Sequence, residues 1–126
     1  MTDARAKRSD RIVSPPLAPA EPAIDLTHLG RMTLGEASLE AEVLALFGRQ
    51  ADVLLARMRN APPAEVAAYA HTLKGSARGI GAWRVAAAAQ ALERCAPGML
   101  AAAIERLAAA VSETQAAIVS LRGERD

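Results

Sequence analysis

The sequence predicts an all-α protein: an antiparallel up-down four-helix bundle with a short additional helix before it. Apolar residues make up 52% of the 126-residue chain, which is enough to build one core without a disulfide or a metal. Aromatic residues supply only 2%, and alanine, leucine and valine dominate, which favours packed helices over a sheet. No segment shows a competing strand pattern, and prolines and glycines divide the chain into stretches of helical length.

Residues 1–22 are predicted to be a disordered tail, and residues 23–122 to be the helical bundle. The tail mixes charged residues with the proline-rich stretch Ser14–Pro19 and lacks apolar periodicity. Asp25–Leu29 then has the pattern of a short first helix. Gly30 and Gly35 are expected to bracket the connection that follows it.

The first long helix is predicted to be capped by Ser38 and to run to about Asn60. Its apolar residues recur at helical spacing and are expected to face the core. They are Leu39, Val43, Leu46, Phe47, Leu54 and Met58.

The second long helix is predicted to start at Pro63, because proline is tolerated in the first turn of a helix but not in its interior. It should end near Gly79 or Gly81. One face of this helix carries a stripe of apolar residues: Val66, Ala70, Leu73, Ala77 and Ile80.

Two further helices complete the predicted bundle. One runs from about Trp83 to Arg94 and is stopped by the Pro97-Gly98 pair. The last has apolar residues at alternating spacings of four and three, with a polar interruption at Thr114. These apolar residues are Leu100, Ile104, Leu107, Val111, Ile118 and Leu121. The short connections indicate that successive helices are antiparallel.

The charge and cysteine counts argue against several classes of protein. Fifteen basic and 14 acidic residues give a net charge of +1, so no general electrostatic attraction to nucleic acid or to an anionic membrane is expected. Cys95 is the only cysteine, which excludes an internal disulfide and a cysteine-based zinc site and fits a reducing compartment. No apolar run approaches the length of a membrane span or a signal peptide. We therefore expect a soluble cytoplasmic protein, and we also expect it to be a monomer.

His71 is the candidate for chemistry. On a helical wheel at about 100° per residue it lies roughly 160° from Leu73, so it points away from the apolar stripe and toward solvent. A neutral imidazole nitrogen is nucleophilic near neutral pH. Ala67 and Ala68 precede His71 by four and three positions on the same face and leave room for a bulky phosphoryl donor.

The residues that follow His71 on this face support the same chemistry. Lys74 and Arg78 can balance the charge of a phosphoryl group through charge-assisted hydrogen bonds. Gly75 costs about 1 kcal/mol relative to alanine inside a helix, and close approach of a partner to the backbone would explain it. Leu34 and Ala64 are expected to join the two alanines in a moderately apolar patch beside His71.

The segment His71–Ser76, with the sequence HTLKGS, and the following Gly81-Ala82 pair resemble the signature of histidine-containing phosphotransfer domains. The resemblance covers the helical part of the chain, from about Ile24 to Leu121. It implies a four-helix bundle with extra helical decoration. It also implies a histidine that accepts a phosphoryl group from a receiver-domain aspartate and passes it to another receiver.

Carried over to this chain, the resemblance makes His71 the phospho-acceptor, Lys74 the residue that stabilises the phosphoryl group and Gly75 the source of clearance for the receiver. The receiver, in a response regulator or a hybrid histidine kinase, would supply the aspartate and the magnesium ion, and this chain would bind neither ATP nor metal. A polar residue from a neighbouring helix often contacts the histidine of such domains. Glu93 and Gln50 are both candidates for it.

Several residues keep alternative interpretations. Ser76 either hydrogen-bonds back along its own helix or takes part in the site. His28 is interpreted as a capping or surface residue, and Cys95 as a small core residue near a helix end.

Two other functions compete with the phosphorelay. The first is a helical adaptor in which His71 is never phosphorylated. The second is the dimerisation module of an ATP-dependent histidine kinase, which would also place a histidine on a bundle helix. Such modules usually have an acidic residue after the histidine, whereas Thr72 follows His71 here. Kinases also require a catalytic domain, which we do not expect in this sequence.

Overall fold

A computed structural model describes residues 22–125, and every regular element within that range is helical. The predicted tail, residues 1–22, lies outside the described residues except for Pro22. A short 3₁₀ turn, Pro97–Met99, leads into the last helix. The five α-helices are α1 (Leu26–Met32), α2 (Ala37–Met58), α3 (Pro63–Ile80), α4 (Trp83–Arg94) and α5 (Leu100–Arg125).

The four long helices form a closed ring. α2 packs on α3, α3 on α4 and α4 on α5, while α5 returns against α2 and α1 lies against α3. Short connections make successive helices antiparallel. The predicted all-α bundle with one short additional helix is therefore confirmed. None of the helices in the described range has an apolar stretch long enough to cross a membrane.

The core contributions of α3 and α5 agree with the sequence pattern. All five residues of the α3 stripe are buried, as are the central members of the α5 stripe, while Leu100 and Leu121 are half-buried. Thr114 is buried among them, and its hydroxyl donates a hydrogen bond to the carbonyl oxygen of Ala110 at 3.0 Å. This bond satisfies the one polar side chain in the stripe within its own helix.

α2 carries apolar residues on two faces, which the sequence prediction merged into one. Leu46 was expected in the core and is 60% exposed, and Leu39 also lies at the surface. The face of α2 toward the core holds the predicted Phe47, Leu54 and Met58, and with them the buried Leu44, Ala51 and Leu55. The prediction for Leu39 and Leu46 is wrong because the positions of α3 and α5, not apolar spacing alone, decide which face of α2 is covered.

The start of α2 and the end of α1 differ from the prediction. α2 begins at Ala37 with Glu36 as its N-cap, so Ser38 lies inside the first turn and does not cap it. α1 continues through Gly30 to Met32, and only Gly35, with a φ of +74°, lies in the connection.

The C-terminal end of α3 agrees with one of the two limits predicted for it. Gly81 is the C-cap of α3 in the left-handed conformation, whereas Gly79 lies within the helix. Cys95 caps the end of α4 and is half-buried against the core, as expected.

α1 is fastened to the corner between α3 and α4 by Asp25. Its carboxylate caps α1 by accepting from the His28 amide at 3.1 Å and also accepts from the Trp83 indole at 3.0 Å. Its own amide donates to the carbonyl oxygen of Gly81 at 2.9 Å. A Cβ at Gly81 would lie 2.9 Å from the Cβ of Asp25, so only glycine allows this approach.

His28 is not a surface residue, contrary to the prediction. It is half-buried, and its ring packs edge-on against Trp83 with the ring centroids 5.0 Å apart. Its side chain does not cap the helix, since the cap is supplied by Asp25. The tertiary contact with Trp83 on α4 accounts for the difference.

Candidate functional site

His71 lies on the solvent-facing side of α3, as the helical wheel predicts, and its side chain is 70% exposed. The buried stripe on the opposite side of α3 fixes the rotation of this helix in the bundle. α4 runs antiparallel to α3, so its last turn comes beside the middle of α3. Glu93 in that turn places its Oε2 atom 2.9 Å from Nδ1 of His71.

Glu93 also binds Lys74, the residue one turn after His71. The Lys74 Nζ atom lies 2.6 Å from Glu93 Oε1, and both side chains are largely withdrawn from solvent, at 13% and 21% exposure. One carboxylate thus joins both residues, and we refer to His71, Glu93 and Lys74 as the His71 cluster. Of the two candidates for the neighbouring polar residue, the structure brings Glu93 to the histidine. Gln50 lies elsewhere, between α2 and α3.

The charge state of Glu93 fixes the tautomer of the histidine. The hydrogen bond from Lys74 is the main cause that holds the pKa of Glu93 below its ordinary value of 4.5, the bond with His71 adds to it, and burial opposes both. Glu93 is therefore an ionised acceptor at neutral pH, so Nδ1 of His71 must carry the proton of their hydrogen bond. The lone pair is then on Nε2.

Small residues clear the surface around His71. A Cβ at Gly75 would meet no atom within 4 Å, so internal packing does not require glycine at this position. Ala64 and Ala68 are exposed and Ala67 is half-buried on the same side of α3. The structure thus places open space where the sequence predicts clearance for a partner.

Arg78 does not join the His71 cluster. Its guanidinium donates to the side-chain oxygen of Gln90 at 3.2 Å, one turn before Glu93 on α4 and thus farther from His71. Ser76 faces the other flank of α3, and Leu34 is 92% exposed in the turn between α1 and α2. Within residues 22–125, no three His, Cys, Asp or Glu side chains come together as a metal site.

An apolar groove runs between α2 and α3, on the flank of α3 that faces away from α4. It consists of two adjoining cavities of about 300 and about 630 Å³ that share Leu46 and Gln50. The smaller cavity lies against α1, and the larger one reaches Thr72, the neighbour of His71. We call it the α2–α3 groove; residues that define it include Leu39, Leu46, Gln50, Val53, Tyr69 and Thr72.

The sequence interpretation missed the α2 side of this groove because it assigned Leu39 and Leu46 to the core. A signal was available in the spacing of four and three from Leu39 through Val43, Leu46 and Gln50 to Val53, which forms a second stripe on α2.

A comparison with models of protein families finds a match to the Hpt domain over residues 42–122, which is more than half of the chain. The matched region runs from the first part of α2 into α5 and contains all three residues of the His71 cluster. No curated protein and no solved structure matches the chain.

Proposed function

Because this chain belongs to the Hpt domain family, whose role is histidine phosphotransfer in phosphorelay signalling, we propose that it is a phosphorelay intermediate. It accepts a phosphoryl group on His71 from a receiver-domain aspartate and passes it to a second receiver. The observation that carries this proposal is the His71 cluster, in which an exposed histidine has one ring nitrogen bound to a carboxylate and the other free.

The nucleophile in this reaction is Nε2 of His71. Its lone pair attacks the phosphorus of the receiver's aspartyl phosphate, and the Nε2–P bond forms as the bond between phosphorus and the aspartyl oxygen breaks. That oxygen keeps the bonding electron pair, so the receiver regains a free carboxylate. The ring keeps its proton on Nδ1 and becomes cationic, and Glu93 already lies 2.9 Å from that nitrogen. Transfer to the next receiver reverses these steps.

Lys74 and Glu93 have complementary roles before and after transfer. In the free protein the two charges neutralise each other at 2.6 Å. Phosphorylation adds a cationic ring next to Glu93 and a dianionic phosphoryl group on the exposed side of the histidine. Lys74, one turn away on α3, can then balance the phosphoryl group.

The partner completes the reaction. We assign the aspartate and the magnesium ion to the receiver domain, which belongs to a response regulator or a hybrid histidine kinase. This chain contributes the nucleophile and its positioning groups and has no ATP-dependent kinase activity of its own. We place the protein in the cytoplasm, since its single cysteine fits a reducing compartment, and we propose that it is a monomer.

The decisive experiment mixes the purified protein with a panel of phosphorylated receiver domains from the same organism. An acid-labile, alkali-stable phosphoryl group should appear on the wild type and on His28→Gln, the matched control, and should be absent from His71→Gln. If no receiver transfers to the wild type, or if His71→Gln is phosphorylated equally well, the proposal fails. Receiver binding that persists without any phosphorylation would instead indicate a helical adaptor.

A further inference from the structure

We infer that Arg49 and Arg57, together with the α2–α3 groove, form a docking surface that selects receiver domains with acidic side chains beside an apolar patch. This inference rests on the proposed phosphorelay function and names what the partner of that function must present. It concerns α2, a helix that contributes no residue to the His71 cluster.

The apolar part of this surface is exposed although its residues would be more stable in a core. Leu46 is 60% exposed and Val53 is 48% exposed, and both line the cavity that reaches Thr72. Because Thr72 directly follows His71, a domain that delivers a phosphoryl group to His71 comes next to this cavity. Adjoining exposed apolar residues on a monomer mark interaction sites.

The charged part consists of two arginines on either side of Val53 on α2. Arg49 and Arg57 are exposed and line the same cavity. Within the part of the chain that the structure describes, neither guanidinium has a hydrogen bond or an ion pair. Arg59, the C-cap of the same helix, is paired, since it binds Glu105 at 3.2 Å. None of the described residues that line this cavity is acidic.

These observations favour a partner of negative charge. A receiver that covers Leu46 and Val53 also lowers the dielectric constant around the two guanidinium groups, which raises the cost of leaving them unpaired. Carboxylates opposite Arg49 and Arg57 remove that cost and speed the encounter, whereas a neutral or basic surface does not. The pair therefore discriminates among receivers that share the same aspartate chemistry.

The test uses the receiver domain that transfers fastest to the wild type in the panel above. The double variant Arg49→Gln/Arg57→Gln removes two positive charges from the groove. Its matched control is Arg106→Glu, which changes the net charge by the same amount at an exposed position of α5, outside the groove. Circular dichroism checks that both variants keep their helices.

We expect the double variant to raise the KM for the phosphorylated receiver about fivefold to tenfold, to leave kcat unchanged and to weaken the salt dependence of kcat/KM. Arg106→Glu should stay within about twofold of the wild type. If the double variant and Arg106→Glu behave alike, or if the loss is in kcat alone, the inference is overturned while the phosphorelay function stands. If no receiver transfers to the wild type, it is the proposed function that fails.

Discussion

The two histidines of this chain each have a carboxylate nearby, yet their settings are opposite. His71 is 70% exposed, and its Nδ1 atom is hydrogen-bonded to Glu93. His28 is half-buried against Trp83, and its Nε2 atom is buried without a hydrogen-bond partner among the residues that the structure describes. The Asp25 carboxylate accepts a hydrogen bond from the backbone amide of His28 and not from its ring.

The difference bears on the phosphoryl transfer proposed for His71. A reactive imidazole needs one nitrogen held by an acceptor, so that the tautomer is fixed, and the other open to an incoming group. His71 meets both conditions. His28 meets neither, and its ring serves instead to pack α1 against α4.

Two glycines, Gly81 beside Asp25 and Gly75 beside His71, should show the largest contrast in their effect on stability. Gly81→Ala should destabilise the protein by about 3 kcal/mol, because alanine is strained at a φ of +78° and its Cβ would collide with Asp25. Gly75→Ala, at an open helical position, should instead stabilise it by about 0.5–1 kcal/mol. Urea denaturation measures both. Equal stability of the two variants would show that α1 is not held through Gly81.

Removing the carboxylate of Glu93 should affect phosphoryl transfer, whereas removing that of Asp25 should affect stability. Glu93→Ala should slow phosphoryl transfer about tenfold because the Nδ1–H tautomer of His71 is no longer favoured. Asp25→Ala should leave the transfer rate unchanged and lower the melting temperature, since α1 loses its cap and its bond to Trp83.

Nitrogen NMR of the imidazole ring is the readout that a purely structural role would not change. The Nδ1–H form of His71 should dominate in the wild type and in Glu93→Gln, whose amide oxygen still accepts a hydrogen bond. It should lose its dominance in Glu93→Ala. An unchanged tautomer in Glu93→Ala would remove Glu93 from its positioning role.

The histidines themselves should differ in their contribution to stability. His28→Gln should lower the free energy of unfolding by about 1 kcal/mol because it removes a ring that packs on Trp83. His71→Gln should change it by less than about 0.5 kcal/mol because the side chain is mostly exposed. Thermal denaturation followed by circular dichroism compares the two, and a larger loss in His71→Gln would contradict the comparison.

The smallest effect concerns pH. The hydrogen bond from the Trp83 indole is the main cause that holds the pKa of Asp25 below its ordinary value of 3.8. The hydrogen bond from Lys74 is the main cause that holds the pKa of Glu93 below its ordinary value of 4.5. A carboxyl whose pKa falls on folding stabilises the protein above its unfolded pKa, and this contribution is lost as the pH falls through the lowered folded value.

The stability difference between the wild type and Glu93→Gln should therefore be constant near pH 6 and shrink below about pH 4.5. Asp25→Asn should show the same trend at lower pH. Urea midpoints measured from about pH 6 to about pH 3 provide the curves. A difference that grows on acidification would mean that Glu93 is not held in its ionised form by folding.

The sequence predicted the site more completely than it predicted α2. His71, Lys74 and Gly75 lie on one helix, so a wheel of known pitch gives their relative directions. Glu93 was one of two candidates, because its contact depends on how α4 packs on α3. Leu46 was assigned to the core because a helix with apolar residues on two faces does not reveal which one its neighbours will cover.

By itself, the sequence determined that the chain is helical and that His71 faces away from the core. It also determined that α3 begins at its prolines and ends at its glycines. These features follow from local spacing and from the backbone preferences of proline and glycine. The tertiary structure decided that Glu93 joins His71 to Lys74, that Arg78 binds Gln90 instead, and that α1 is fastened through Asp25. These contacts connect different helices, so they depend on packing that no single helix encodes.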